Sequence, residues 1–219
     1  MRLGLLGGTF NPIHLGHLRA AIEVREAFNL DKILLVPSAH PPHKKSRGIA
    51  DAEDRLEMVR LAIQGAPLLE ASAVELSRPG PSYTIETLRF FHDRFGPRCA
   101  VHFIIGFDAF SAIATWKDYK KLFPTAHFIV TARSGTDLQD LEEVIHAHVS
   151  QDYRFDSASR AFTHPRWLTI FSTEVTRFDV SGTQIRNAVR KSRSIAFLVP
   201  RAVEEYIHER KLYFDETNE

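Results

Sequence analysis

The sequence contains a single cysteine, Cys99, among its 219 residues. One cysteine can form neither an intramolecular disulfide nor a zinc site built from thiolates, and this suits a reducing compartment, so we expect a cytoplasmic protein. The sequence also lacks any stretch that approaches the roughly 20 apolar residues of a membrane-spanning helix. The first residues do not show the pattern of a signal peptide. We therefore expect no membrane association.

An excess of charge of one sign is also missing, since 28 Lys and Arg residues face 27 Asp and Glu residues, for a formal net charge of +1. This balance argues against nucleic acid as a partner, so the phosphates of any ligand must be met by local clusters of donors and cations. The content of 44% hydrophobic and 25% charged residues is typical of a globular protein with a buried core. The length fits a single domain over residues 1–219, with a helical portion at about 181–214.

Short apolar runs alternate with segments of helical periodicity along the chain. This alternation predicts an α/β fold: a doubly wound, Rossmann-like parallel sheet with helices on both faces and a small C-terminal helical extension. Ligands of such sheets bind outside the carboxyl ends of the strands, here in the loops at 7–17, 37–50, 106–117 and 131–137. The predicted strands lie at 3–6, 32–36, 71–76, 101–105, 127–131 and 167–171, and the predicted helices include 18–28, 51–64, 82–95, 181–191 and 200–210.

The loop after the first predicted strand reads GGTFNPIHLGH and places His14 and His17 three positions apart. Glycines allow a backbone to approach a nucleotide closely, and the start of the following helix favours anions. The loop matches neither the G-x-G-x-x-G motif of dehydrogenases nor the P-loop. The alternatives are a surface turn and a zinc site that joins this pair to His40 and His43, which the two prolines between the latter disfavour.

This loop, together with VSGTQIR at 180–186, resembles the H-x-G-H and I-S-[ST]-T-x-I-R signatures of the nucleotidyltransferase superfamily. Asn11 stands where aspartate is common in that superfamily, and Gly182 stands where serine is common. Nearly the whole chain is similar to the bacterial nicotinate-nucleotide adenylyltransferases. The further segments that carry this resemblance are VPSAHPPHK at 36–44, GPSYTIETL at 80–88, GFD at 106–108, WK at 116–117, TAR at 131–133, LVP at 198–200 and YI at 206–207.

The resemblance implies a reaction that joins ATP to nicotinate mononucleotide and gives deamido-NAD and pyrophosphate. A 5′-phosphate oxygen would attack the α-phosphorus in line without a covalent enzyme intermediate. Because this nucleophile is already an anion near neutral pH, catalysis must come from positioning and from neutralising charge. The catalytic residues implied are His14, His17, Lys44 and Arg186, with Mg²⁺ carried on the ATP phosphates rather than by a protein metal site. Lys45 competes with Lys44 for its role.

The resemblance also implies an ATP site at the first loop and at two later helix starts. Asp108 would accept hydrogen bonds from ribose hydroxyls, and the alternative is a helix N-cap. Ser181 and Gln184 form a capping-box pattern that starts a helix, and the same helix start suits the β- and γ-phosphates. The ATP-binding residues implied are Gly8, Thr9, Phe10, His14, His17, Gly106, Asp108, Ser181, Thr183 and Arg186.

For nicotinate mononucleotide, the resemblance implies Lys44, Tyr83, Thr84, Trp116 and Arg133. Free N–H groups at the helix start near Tyr83 would receive the nicotinate carboxylate, although the segment also reads as an ordinary cap by Ser82. Trp116 would stack on the pyridinium ring, and the alternative is a core tryptophan. Arg133 would bind the 5′-phosphate, or else is a surface arginine.

Three rival functions stay open at this point. Two are enzymes: an adenylyltransferase that prefers or also accepts nicotinamide mononucleotide, and a pantetheine-phosphate adenylyltransferase, which is usually shorter. The third is a noncatalytic nucleotide sensor or RNA-binding module. The intact pair of His14 and His17 together with Arg186 argues against lost catalysis. The sequence does not determine the oligomeric state, and a homodimer stays open.

Overall fold

The computed structural model describes residues 1–41, 48–132 and 138–214. Within these ranges, eight strands form one sheet in the order β3-β2-β1-β4-β5-β8-β7-β6. The first six strands in this order are parallel, whereas β7 is antiparallel to both of its neighbours, β8 and β6. The strands are β1 (Arg2–Gly8), β2 (Lys32–Pro37), β3 (Leu69–Ala71), β4 (Ala100–Gly106), β5 (His127–Ala132), β6 (Arg154–Asp156), β7 (Ala161–Thr163) and β8 (Ile170–Glu174).

Helices cover both faces of this sheet. Side chains alternate along each strand, so Leu3 and Leu5 of β1 face one buried cluster, whereas Ile33 and Leu35 of β2 face the other. Helices α3, α4 and α5 pack on the first face, and α1, α2, α6 and α7 pack on the second. The doubly wound prediction is confirmed. The helices are α1 (Leu15–Ala27), α2 (Ala52–Ala62), α3 (Thr84–Phe95), α4 (Phe107–Ser111), α5 (Leu138–Val144), α6 (Gly182–Arg190) and α7 (Arg201–Glu209).

The prediction of a strand at 71–76 is wrong, because the strand β3 ends at Ala71 and a turn follows. In that turn the N–H groups of Leu76 and Ser77 both donate to the carbonyl of Ala73. Val74 is buried and Glu75 is bonded to a buried threonine, so the alternation of apolar and polar residues arises from a folded turn rather than from a pleat.

The last parallel strand begins later than predicted, at Ile170 rather than at residue 167. Trp167 precedes it and stacks on His164, and the N–H of Leu168 bonds to the carbonyl of Phe123 outside the sheet. The antiparallel edge formed by β6 and β7 was not predicted, because strands of three residues carry almost no periodic signal.

The strand order changes direction at β1. The next strands in the chain, β2 and β3, lie on one side of β1, and β4 and the later strands lie on the other side. Gly7 pairs with Val36 of β2, and Leu6 pairs with Ile104 of β4. A crevice opens at such a switch point, outside the carboxyl ends of the strands. The loops that follow β1, β2 and β4 therefore meet there. None of the helices in the described ranges is long and apolar enough to cross a membrane.

Candidate active site

A cleft of about 1140 Å³ lies at the carboxyl ends of the central strands. Every predicted site residue in the described part of the chain lines this one cleft. Lys44 and Arg133 lie outside the described residues, as do His43 and Lys45. The predicted residues that line the cleft are Gly8, Thr9, Phe10, His14, His17, Tyr83, Thr84, Gly106, Asp108, Trp116, Ser181, Thr183 and Arg186.

His14 and His17 face each other at the start of α1. His14 is the N-cap residue of the helix, and its main-chain N–H donates to Nδ1 of His17 over 3.3 Å. The two rings stack with their centroids 3.7 Å apart, and Phe10 packs edge-on against His17 at 5.1 Å. Since the loop and the first helical turn fix both rings, the pair is a preorganised feature of the cleft wall.

His14 is buried, and burial lowers the pKa of its imidazole to about 4. Its Nδ1 has no hydrogen-bond partner in the described part of the chain. Gly16 makes room for this ring, because a Cβ at that position would lie 3.2 Å from Nδ1 of His14 and 3.3 Å from Cβ of Phe178. The space beside Gly16 is therefore filled by protein side chains, and the lowered pKa leaves the buried ring of His14 neutral at pH 7.

Phe10 is a core residue that also borders the cleft. Its side chain is only 2% exposed, and its backbone adopts a positive φ of 47°. A ligand at this point would therefore meet the main chain of the loop rather than the aromatic ring. The phenyl ring supports the loop from below.

Arg186 of α6 reaches back to the loop after β1. Its Nη1 donates to the carbonyl of Asn11 over 2.7 Å, and its Nη2 donates to Oγ1 of Thr183 over 3.1 Å. A Cβ at Gly182 would lie 2.6 Å from the same carbonyl of Asn11. The close approach of α6 to the loop thus requires glycine at 182, which explains why the chain departs there from the common serine.

The side chain of Asn11 uses both its donor and its acceptor. Nδ2 donates to the carbonyl of Gly48 over 3.0 Å, while Oδ1 accepts from the N–H of Ala50 over 3.0 Å and from the hydroxyl of Tyr213 over 2.8 Å. An ionised aspartate could accept these bonds but could not donate to Gly48. Asparagine at position 11 therefore joins the first loop to residues 48–50 and to the end of the chain.

The start of α6 has the capping box that the sequence predicts. Oγ of Ser181 accepts from the N–H of Gln184 over 3.2 Å, and Oε1 of Gln184 accepts from the N–H of Ser181 over 2.8 Å. The next N–H groups, those of Gly182 and Thr183, have no acceptor within the helix because they belong to its first turn. They are available to an anion in the cleft.

The other end of the cleft is formed by the start of α3. The helix begins at Thr84, and Tyr83 precedes it in an extended conformation. Ser82 does not cap this helix, so that alternative is wrong. Its Oγ instead accepts from the N–H groups of Ala39 and His40 and ties α3 to the segment after β2.

Two further predicted residues lie on the segments after β4. Asp108 is an exposed residue in the first turn of α4, where Gly106 is the N-cap, so the N-cap alternative for Asp108 is also wrong. Trp116 is half-buried and packs edge-on against Phe103 with ring centroids 6.1 Å apart. Because it also lines the cleft, the core and ligand-facing interpretations of Trp116 are compatible.

Sequence reasoning missed Arg55, a fully buried cation on α2 that is 1% exposed. Its guanidinium donates to four main-chain carbonyls, those of Thr9 (2.8 Å), Ser38 (2.7 Å), Ala39 (3.1 Å) and Ala50 (2.9 Å). It thereby joins the loop after β1 to the segment after β2. A signal was present, because Arg55 lies in the apolar stripe of α2, three and four positions before the buried Met58 and Val59.

Comparison with known proteins adds independent observations to this geometry. The model of the cytidylyltransferase-like family matches residues 5–188 of the chain. This match covers the first loop, the start of α3 and the start of α6. The chain belongs to the cytidylyltransferase-like family. Its assignment rests on most of the chain and not on one motif.

Two relatives show the same relationship at full length, and both carry the name probable nicotinate-nucleotide adenylyltransferase. The protein from Desulfatibacillum aliphaticivorans is 46% identical, with 97% of this chain and 100% of the relative covered. The protein from Geotalea daltonii is 40% identical, with 98% and 99% covered.

The fold is also similar to that of solved structures of low sequence identity. Plasmodium falciparum nicotinic acid mononucleotide adenylyltransferase in complex with NaAD superimposes with a TM-score of 0.74 at 16% identity, covering 97% of both chains. The same protein in complex with APC gives a TM-score of 0.72 at 16% identity, covering 97% of this chain and 96% of the other. These two likenesses support the fold.

Proposed function

We propose that the protein transfers the adenylyl group of ATP to nicotinate mononucleotide and releases pyrophosphate. The observation that carries this proposal is the convergence of a fixed histidine pair, the starts of α6 and α3, and Trp116 in one cleft. One end of the cleft offers donors to phosphates, and the other offers an aromatic ring beside a helix start. The name shared by relatives of up to 46% identity agrees with this chemistry.

The triphosphate of ATP would lie between the first loop and α6. N–H groups at the start of α6, together with Arg186, meet the β- and γ-phosphates, and His14 and His17 lie beside the α-phosphate. Gly106 and Asp108 then lie toward the ribose. Lys44 is proposed to neutralise charge on the transferred group.

The reaction needs no protein nucleophile. An oxygen of the mononucleotide 5′-phosphate forms a bond to the α-phosphorus, and the bond from that phosphorus to the bridging oxygen of pyrophosphate breaks. The protein holds two anions in line and stabilises the charge that develops between them. In the described residues, no group of three His, Cys, Asp or Glu side chains could hold a metal ion. We propose that Mg²⁺ enters as part of the substrate, bound to the ATP phosphates.

The mononucleotide would lie against α3. The N–H groups of Tyr83 and Thr84 receive the nicotinate carboxylate, and the face of Trp116 stacks on the pyridinium ring. Arg133 is proposed for the 5′-phosphate. Discrimination between acid and amide then comes from charge and from hydrogen-bond donors, because the two groups have nearly the same shape.

We further propose that residues 1–219 work as a single nucleotidyltransferase domain. Ser181, Thr183 and Arg186 from the helical portion at 181–214 line the same cleft as the first loop. Tyr213, near the end of that portion, bonds to Asn11.

The test incubates the purified protein with ATP, Mg²⁺ and either nicotinate or nicotinamide mononucleotide. Pyrophosphate release is measured, and the dinucleotide is identified by chromatography and mass. We expect deamido-NAD to form faster than NAD. Equal rates with the two mononucleotides would favour the dual-specificity alternative. If neither mononucleotide leads to pyrophosphate release, the proposed function is contradicted.

A further inference from the structure

Lys117 is a cation at the nicotinate end of the cleft. It follows Trp116 in the chain and lines the cleft beside Tyr83 and Thr84. Its Nζ lies 4.1 Å from the centroid of the Tyr83 ring and 2.9 Å from Oε1 of Glu86. The hydrogen bond that Lys117 donates to Glu86 is the main cause that raises the pKa of Lys117, so the ammonium is charged at neutral pH.

Glu86 belongs to the first turn of α3 and reaches Lys117 from outside the cleft lining. Its carboxylate has two effects on an anion at the start of the helix. It neutralises part of the field of Lys117, and it adds negative charge close to the helix N-terminus. Both effects act against a substrate carboxylate at the N–H groups of Tyr83 and Thr84.

We propose that Lys117 is a specificity-determining residue that favours the acid over the amide form of the pyridine substrate, and that Glu86 moderates this preference. The inference rests on the proposed function and extends it, because main-chain N–H groups are then joined by a side-chain charge. The main-chain N–H groups favour the carboxylate through hydrogen-bond donation, whereas Lys117 favours it through its charge.

A purely structural role for the same pair makes different predictions. The ion pair and the cation–π contact connect α3 to the segment that carries Trp116, so they could simply hold the two walls of the cleft together. In that case the loss of either partner would loosen the Trp116 segment in the same way. Both mononucleotides would be affected alike, since both stack on the same ring.

The electrostatic role instead requires that the two substitutions act in opposite directions. Lys117→Gln removes the attraction for the carboxylate, and Glu86→Gln releases Lys117 while removing an opposing charge. Two other acidic residues lie near this end: Glu75, which accepts a hydrogen bond from Thr87 and lies 3.9 Å from Arg78, and Asp118, whose charge also acts on Lys117. Both are kept in Lys117→Gln and in Glu86→Gln, so the comparison of the two variants isolates Lys117 and Glu86.

The experiment measures kcat/KM for nicotinate and nicotinamide mononucleotide at saturating ATP and Mg²⁺. The ratio of the two values is expected to fall roughly two- to fivefold in Lys117→Gln and to rise by a similar factor in Glu86→Gln, as is typical of exposed charges. Raising the salt concentration should shrink both changes. The matched control is the pair of Lys32 and Glu70, which also lies 2.9 Å apart, includes a cation–π contact of Lys32 with Phe95, and does not line the cleft. Lys32→Gln and Glu70→Gln should leave the ratio unchanged.

A ratio that stays constant in both variants would overturn the inference. So would equal losses for both mononucleotides, which would assign the pair to the structural role. If the unmodified protein adenylylates neither mononucleotide, the proposed function itself fails. That result is distinct from either outcome with the variants.

Discussion

The main-chain N–H of His14 donates to Nδ1 of His17. Because Nδ1 is the acceptor, the neutral imidazole of His17 carries its hydrogen on Nε2. The stacked ring of His14 keeps the plane of His17 in place. A donor held in this way stabilises charge that develops around a reacting phosphate without first having to reorganise.

Replacing His17 by alanine should therefore affect the chemical step far more than ATP binding. We expect a loss in kcat on the order of 100-fold or more, as when one preorganised donor to a transition state is removed. Single-turnover kinetics and the Kd for ATP measure the two effects separately. The exposed His148→Ala is the control. Near-normal turnover in a folded His17→Ala protein would show that the assigned role is wrong.

Thr84→Pro offers a direct test of the nicotinate carboxylate receptor. Thr84 is the first residue of α3, where proline is well tolerated, and Tyr83 already has the extended backbone that a following proline requires. The substitution thus deletes one N–H without breaking the helix. In the unmodified protein, the NH₂ group of a carboxamide substrate would face these N–H donors, and such a buried, opposed polar group costs roughly 1 to 3 kcal/mol. The unmodified protein should therefore favour the acid substrate by at least about tenfold in kcat/KM.

Most of that preference should disappear in Thr84→Pro, whereas Thr84→Ala, which keeps the N–H, should reduce it only in part. Trp116→Ala should weaken the binding of both mononucleotides by a similar factor, because stacking on the indole ring does not distinguish an acid from an amide. If the Thr84→Pro protein retains the full ratio of the two kcat/KM values, the N–H of Thr84 does not take part in binding the nicotinate carboxylate.

Arg55 should act as a positioning residue for the loops around the cleft. Arg55→Met leaves the carbonyls of Thr9 and Ser38 without their buried donor, at a cost of about 1 to 3 kcal/mol for each unsatisfied group. We expect a lower Tm and, in protein that is still folded at the assay temperature, a kcat lowered at least about tenfold. Arg55→Lys should recover part of the loss in Tm and part of the loss in kcat, because the lysine ammonium keeps the charge of arginine but not its planar arrangement of donors.

The control for Arg55 is Arg60→Met, which removes an exposed arginine from the same helix. It should change neither Tm nor kcat appreciably. If Arg55→Met lowers Tm but leaves kcat intact in the folded protein, Arg55 supports the fold alone.

Stability should fall in mild acid because of buried histidines at opposite ends of the strands. Burial lowers the pKa of both His14 and His102 to about 4, below the ordinary value near 6.5 expected in the unfolded chain. A lowered pKa means that the unfolded state binds the proton first. Stability is therefore complete above pH 6.5 and is lost as the pH falls toward 4.

Between pH 7 and 5, each of these histidines should remove about 2 kcal/mol from the free energy of unfolding. Urea denaturation at a series of pH values measures this change. The slope should flatten in His102→Gln and should not change in the exposed His148→Gln. An unaltered slope in His102→Gln would mean that His102 is not protonated on unfolding.

The sequence predicts four of the six parallel strands, β1, β2, β4 and β5, and the cleft-lining loops that follow them, because both are local features. Apolar runs such as KILLV specify a strand buried on two faces, and the spacing of His14 and His17 specifies one side of a helix start. The network around Arg55 is not local, since its four acceptors are carbonyls that any residue would offer. For the same reason, nothing in the sequence shows that Asn11 must donate as well as accept.

The bond between Asn11 and Tyr213 joins residues 202 positions apart. During synthesis, the first loop leaves the ribosome long before its partners in α6 and in the segment after α7 exist. Domains acquire their structure as units once their segments are available. The network that joins the first loop to α6 and to Tyr213 can thus be completed only when almost the entire chain has been translated, so truncated translation products should lack this wall of the cleft.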